Sequence, residues 1–348
     1  MKCVWFSFVV VWLFLTGCFQ DRGNSNANDD VYDILNIYSD RHYPVDDTIY
    51  KMFENATGVK INLVKGKSED LLARLQKESQ ATKADLLITA DVGRLHQAKS
   101  AGFFQSVDIS PALQYIPSYL YDEEGYWFGL TKRARVIVYA KERVEDYEIR
   151  DYEDLTHENW KGRIAVRSKE NIYNQSLLAS IIAANGEEEA INWVKGVVEN
   201  MYQSPKGNDR DQVKAIFAGK ADLAIINTYY LGQMHHSEDP LERKAAESVK
   251  VLYPNQLGRG AHINVSGAGV LKASKRKELA QQLIAFLLSP EIQELYAKEN
   301  FEFPVHENVQ TSQEVLSWGA FHEDQIELSK IGSLNATAIK VFDKGGWK

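Results

Sequence analysis

An α/β fold, in one large unit or in two lobes of ordinary domain size, is predicted for this chain of 348 residues. Three observations predict it. Short β-branched runs recur, each followed by an amphipathic helical pattern, which is the signature of a sheet with helical crossovers. Residues 31–348 are enough to bury one large core or two smaller ones. No segment after the first fifteen residues is apolar enough to cross a bilayer, and no internal repeat interrupts the alternation.

The elements follow in order. Asp33 to Ser39 reads as a strand, and Asp46 is placed to cap a helix whose Ile49, Met52 and Phe53 share one face. Gly58 stops that helix ahead of a strand over Val59 to Val64. Ser68 is placed to cap a helix carrying Leu71, Leu72 and Leu75; Ala84 to Thr89 reads as a third strand, and Arg94 to Ala101 as another helical turn or two. Trp127 to Arg143 is extended for longer than a usual strand, so it can pass between lobes as well as pair within one. Then come a strand over Arg163 to Ser168 and helical patterns over Asn174 to Asn185, Glu187 to Glu199 and Asp211 to Ala218. Strands are expected over Ala221 to Ile226, Val249 to Tyr253 and Gly267 to Leu271. Of two further helices, the second begins at Ser289 and Pro290 with cap and N1 chemistry.

The first thirty residues differ in composition from everything that follows. Met1 and Lys2 open an apolar run, Val4 to Leu15, of signal-peptide length. The tetrad Leu15-Thr16-Gly17-Cys18 resembles the lipobox of bacterial lipoproteins, which implies a signal peptide over 1–17, acylation of Cys18 and a polar tether over 18–31. Cys3 and Cys18 are the only cysteines, so the exported domain would have no thiol for a disulfide, a zinc site or a nucleophile. A formal charge of −8 with dispersed Lys and Arg excludes a nucleic-acid surface. No nucleophile elbow, P-loop, HExxH or GxGxxG stands at a strand-to-helix junction, so no enzyme is expected.

Three strand-to-helix junctions carry an unusual residue set: Arg41-His42-Tyr43, Asn171-Ile172-Tyr173-Asn174 and Asn227-Thr228-Tyr229-Tyr230. In open α/β sheets ligands collect outside the strand C-terminal ends, where helix N-termini point. A phenol titrates near ~10, so a phenolate at neutral pH needs a strong positive neighbour such as a trivalent metal. Oxygen donors suit hard cations, and iron tolerates imidazole. One strand-end tyrosine among 17 is more often a half-buried aromatic, but four with a histidine make a ferric site.

Several longer strings carry a resemblance: Tyr38-Ser39-Asp40-Arg41-His42-Tyr43, Ala84 to Thr89, Trp127 to Val136, Tyr173-Asn174-Gln175-Ser176, Asn227-Thr228-Tyr229-Tyr230, and Pro254-Asn255-Gln256 through Asn264 to Gly267. They resemble the periplasmic ferric-binding proteins, and are most similar to the cyanobacterial FutA type. The resemblance spans about Tyr32 to Lys348. It implies a type II periplasmic-binding-protein fold, two α/β lobes joined by hinge strands around a ligand cleft. Lobe 1 would comprise 32–128 and about 260–308, lobe 2 about 129–259 and 309–348. It also implies a monomer at the extracytoplasmic or periplasmic face that serves an ABC-transporter permease, held to the membrane by its lipid. The cargo would be Fe3+, with Fe2+ an alternative, held by His42, Tyr43, Tyr173, Tyr229 and Tyr230. Other branches use an acidic ligand after the third strand; here Ala90 stands near that place, with Asp91 adjacent. Arg41, Arg133 and Arg135 are placed to offset the site's negative charge, and Asn174 and Asn227 to orient tyrosine oxygens or cap helices. A same-fold binding protein for an oxyanion, polyamine or thiamine is the alternative.

Overall fold

The computed structural model describes residues 33–348. The expected signal peptide, acylation site Cys18 and tether lie outside the described residues.

Strand β1 (Ile34–Ser39) leads into α1 (Pro44–Thr57), which buries Val45, Ile49, Tyr50 and Phe53 and ends where Gly58 takes φ 76° and its N–H caps the Glu54 carbonyl. The cap differs from the expected one. Tyr43 holds the N-cap position, Pro44 begins the helix, and Asp46 lies within the first turn, buried against Arg41. Strand β2 (Lys60–Lys65) and helix α2 (Ser68–Glu78) follow. Ser68 does not cap α2 with its side chain; its hydroxyl donates to Asp40 instead. Strand β3 (Leu86–Thr89) runs into α3 (Val92–Ser100), capped by Asp91, whose side chain accepts the Gly93 N–H.

Strand β4 (Phe128–Ala140) has 13 residues, and the 2-residue β5 (Ile164–Ala165) replaces the longer strand expected there. Helix α4 (Ile172–Asn185) starts two residues before the expected point, with Asn171 accepting the Asn174 N–H. Then come α5 (Glu187–Asn200), α6 (Asp209–Phe217), β6 (Leu223–Asn227), α7 (Thr228–His235), α8 (Pro240–Glu247), β7 (Val249–Leu252) and β8 (Ile263–Val270). Strand β8 begins earlier than its small residues suggested. Helices α9 (Lys277–Leu287) and α10 (Pro290–Asn300) precede β9 (Phe303–Pro304), α11 (Gln313–Leu316), α12 (Leu328–Ser333) and α13 (Asn335–Gly345). Pro290 does open α10, but the Ser289 hydroxyl bonds back to the Phe286 carbonyl.

The strand order is β2-β1-β3-β8-β4-β6-β5, with β7 and β9 also on β4. Only β1–β2, β1–β3 and β5–β6 are parallel; every other named pair is antiparallel. The expectation of a parallel sheet therefore holds only near βαβ crossovers. A strand such as β8, arriving after a long excursion, is free of the crossover constraint and can enter in either direction.

Strand β4 positions the site. Phe128 to Ala134 pair with β8, and Arg135 to Tyr139 pair with β6. Arg133 and Arg135 straddle the change of partner, and period-two alternation sends both side chains to one face. The β4–β6 register sets Arg135 opposite Asn227, the last residue before α7.

Candidate metal centre

Each tyrosine of the predicted set sits where a helix begins. Tyr43 caps α1, Tyr173 is the second residue of α4, and Tyr229 and Tyr230 are the second and third of α7. The Tyr43 hydroxyl donates to the Tyr229 oxygen at 3.0 Å, and the Tyr229 hydroxyl to the Tyr173 oxygen at 3.3 Å. Tyr230 packs on Tyr229 with ring centroids 4.3 Å apart. Four phenol oxygens from three distant segments thus meet in one cluster. Tyr43 and Tyr229 are buried; Tyr173 and Tyr230 are half-buried.

His42 is exposed at the edge of this cluster, its ring stacked on Tyr43 at 5.2 Å. Its Nδ1 lies 3.2 Å from the Asp40 carbonyl oxygen. A carbonyl only accepts, so Nδ1 carries the hydrogen, and in the neutral ring Nε2 is then the nitrogen with the lone pair that a metal needs. His42 and Tyr173 both line an open cleft of about 790 Å³ that also takes in Lys67, Asn171 and Arg167.

Burial raises Tyr43 and Tyr229 well above the ordinary phenol value, and each is raised further by Tyr173. Tyr230 is raised for the same two reasons. Without a metal these three therefore keep their protons at neutral pH. Arg133 stands ready for the opposite state. Its guanidinium lies 5.0 Å from the Tyr173 ring, is 2% exposed, and leaves Nε and Nη1 without a hydrogen-bond partner. Burial opposes its charge, and a phenolate at Tyr173 and the Asp91 carboxylate favour it.

The remaining predicted residues have other work. Arg41 is buried and donates to Asp46, Glu302, Thr131 and Ser266, with its charge 4.8 Å from the Tyr43 ring. It braces Tyr43 from behind. Asn174 and Asn227 reach no tyrosine hydroxyl among the described residues. Asn174 Oδ1 accepts from Arg135 at 2.7 Å and its Nδ2 donates to the Arg167 carbonyl; Asn227 Oδ1 accepts from Arg135 at 3.3 Å. Asn171 caps α4, and the Asn227 side chain makes no capping bond to α7.

Asp91 is fully buried and spoken for. It accepts from Gly93 N, Ser176, Asn264 and, at 3.4 Å, Arg133. Burial pushes its carboxyl up to about 6 against the pull of Arg133. Four donors leave it no role as a metal ligand here, which favours the tyrosine-rich set over the acidic alternative. His262, Asp209, Glu302 and Arg167 also border the site, and none was singled out from the sequence. His262 is pushed down to about 3 by burial and by the Arg133 and Arg135 charges, so it stays neutral. Asp209 had one local signal, the Asn208 to Asp211 capping pattern, and that marks only a helix start.

Comparison with known proteins decides the family. The model of the family described as bacterial extracellular solute-binding protein matches residues 81–323. The chain belongs to this family. The solute-binding protein is 45% identical to "Iron uptake protein A1" of Synechocystis over 314 residues, 90% of this chain and 87% of that one. It superposes on Trichodesmium IdiA (FutA) "in complex with iron and citrate ligands" with TM-score 0.87 and 42% identity, covering 90% of this chain and all of the other. A Campylobacter jejuni ferric binding protein gives TM-score 0.87 at 43% identity, with the same coverage. The fold is therefore the type II binding-protein fold, two α/β lobes joined by strands around a cleft.

Proposed function

We propose that this solute-binding protein captures ferric iron through His42, Tyr43, Tyr173, Tyr229 and Tyr230 and delivers it to the permease of an ABC importer. The observation that carries the reading is the hydroxyl chain Tyr43–Tyr229–Tyr173, at 3.0 and 3.3 Å, with Tyr230 packed beside it. Metal-free, these phenols are protonated and bond to one another; a trivalent cation converts them to the phenolates that hold it. Arg133, with two unpartnered nitrogens among these rings, offsets the negative charge that results. Iron uptake by the named relatives supports the cargo.

The lobes we assign are 32–128 with about 260–308, and about 129–259 with 309–348. On that division His42 and Tyr43 come from one lobe and the other tyrosines from its partner, so bound iron selects the closed form. Permease docking, protonation or reduction to Fe2+ releases it. The protein acts as a monomer at the extracytoplasmic face, tethered by acylated Cys18, and no catalysis is assigned to it.

The test is an absorption titration of metal-free protein with ferric citrate. A visible tyrosinate-to-iron charge-transfer band saturating at one equivalent is expected; a colourless protein would return the site to an oxyanion, polyamine or thiamine cargo.

A pH dependence follows. Tyr43, Tyr229 and Tyr230 are protonated in the metal-free fold, so each of them that coordinates iron releases a proton, and apparent affinity rises with pH. Proton release on loading, followed in weakly buffered solution, should approach one per coordinated phenol, and a pH-independent affinity would contradict it. In the metal-free protein the raised phenol values act on stability too. Their contribution is fully present below the unfolded value of about 10 and is lost as the pH climbs above it.

A further inference from the structure

We infer that Asp209 is a positioning residue that sets the spacing between Tyr173 and the Tyr229–Tyr230 pair. The inference rests on the ferric reading of the site and names a part of it that touches no iron.

Asp209 is the first residue of α6 and is fully buried. Helix α6 does not need its carboxylate. The start of α6 is already capped by Asn208, whose side chain accepts from Arg210 and Asp211, while Asp211 returns a bond to the Asn208 N–H. The Asp209 carboxylate is spent elsewhere. Its Oδ1 accepts from Arg135 at 2.5 Å and from the Asn227 backbone N–H at 3.0 Å, and its Oδ2 accepts from Arg167.

Those three donors lead to the two tyrosine-bearing helix starts. Asn227 immediately precedes α7, so its amide fixes where Tyr229 and Tyr230 begin. Arg135 spans both sides: its Nη2 donates to Asn174, the neighbour of Tyr173, and its Nη1 to Asn227. Arg167 closes the ring, since its carbonyl oxygen accepts from Asn174 Nδ2 at 2.9 Å while its guanidinium holds Asp209. One carboxylate with two guanidinium partners thus ties α4 to α7 from beneath the phenols. Both guanidinium groups lie within about 6 Å of the Tyr173 ring. A planar, bidentate-capable network of this kind tolerates little change in distance, whereas a single surface ion pair would tolerate much.

The experiment is a double-mutant cycle on iron dissociation, followed by decay of the charge-transfer band in excess chelator. Asp209→Asn in the otherwise unchanged protein is expected to speed iron loss on the order of 10–100-fold. In a Tyr173→Phe background most of that effect should vanish, because there is no longer a Tyr173 oxygen to position. A general structural defect would be additive instead. If Asp209→Asn fails to fold, Asn174→Ala serves in the same cycle, since it cuts the ties of Arg135 and of the Arg167 carbonyl to α4 and leaves the Arg135–Asp209 pair intact. Unchanged dissociation, or an effect that persists in full without the Tyr173 hydroxyl, overturns the inference while leaving the ferric site standing. Absence of the band in the parent protein overturns the ferric reading itself, and the inference with it.

Discussion

The Tyr229→Phe/Tyr230→Phe double variant is expected to lose most of its iron-dependent visible absorption and to bind iron far more weakly. Two of the four proposed phenol ligands disappear, so the loss should exceed the roughly 10–100-fold that follows when a residue supporting a ligand is changed. The fold should survive. Both rings remain to pack at 4.3 Å, and the hydroxyl bonds lost at Tyr229, to Tyr43 and Tyr173, are worth about 1 kcal/mol each. Thermal unfolding of the metal-free variant should therefore stay close to that of the parent, whereas iron retention against citrate should collapse. A double variant that retains its colour and its iron would remove α7 from the ligand set.

Arg41→Met should act on the fold before it acts on iron. The guanidinium is buried and holds two carboxylates, Asp46 at 3.0 Å and Glu302 at 3.0 Å, both almost fully excluded from solvent. Methionine fills much of the space but leaves both acids without their counter-charge. Removing one partner of a buried ion pair typically costs about 3–5 kcal/mol. The pH dependence follows from Glu302, whose carboxyl is held below the usual range, against its burial, by the Arg41 charge and by hydrogen bonds from Arg41, Thr131 and Asn300. A depressed acid stabilises the fold above its unfolded value of about 4.3, and that contribution is lost as pH falls through the folded value. Asp46 runs the other way, since burial raises it despite Arg41. In the variant both acids favour the protonated form, so the stability gap to the parent should be widest near neutrality and narrow on acidification. Denaturant unfolding at two pH values measures it. Equal stability at neutral pH would mean that the network around Arg41 contributes nothing net.

The placement of phenols at helix starts was legible at Tyr43, Tyr173, Tyr229 and Tyr230, because a tyrosine at such a junction is a local feature of the chain. So were Gly58 as a helix stop, Pro290 as a helix start and the unusual length of β4. The caps were less legible. Asp46 and Ser68 have suitable side chains, yet Asp46 is claimed by Arg41 and Ser68 by Asp40, partners that buried packing selects over the nearest free N–H. Asn174 and Asn227 likewise were expected to orient the tyrosine oxygens or to cap helices, and their side chains instead serve Arg135.

The sequence by itself determined an alternating α/β chain and the chemical type of its donors. Both are written in short-range periodicity and residue chemistry, which survive without knowledge of distant neighbours. Only the tertiary structure decided that most strand pairs are antiparallel, that Asp91 is used up by four donors, and that Asp209 and Glu302 carry buried charge behind the phenols. The physical reason is the cost of burying a charge. Such a group must find its partner wherever packing brings one, 74 residues away for Arg135 and Asp209 and 261 for Arg41 and Glu302, and no local pattern encodes that choice.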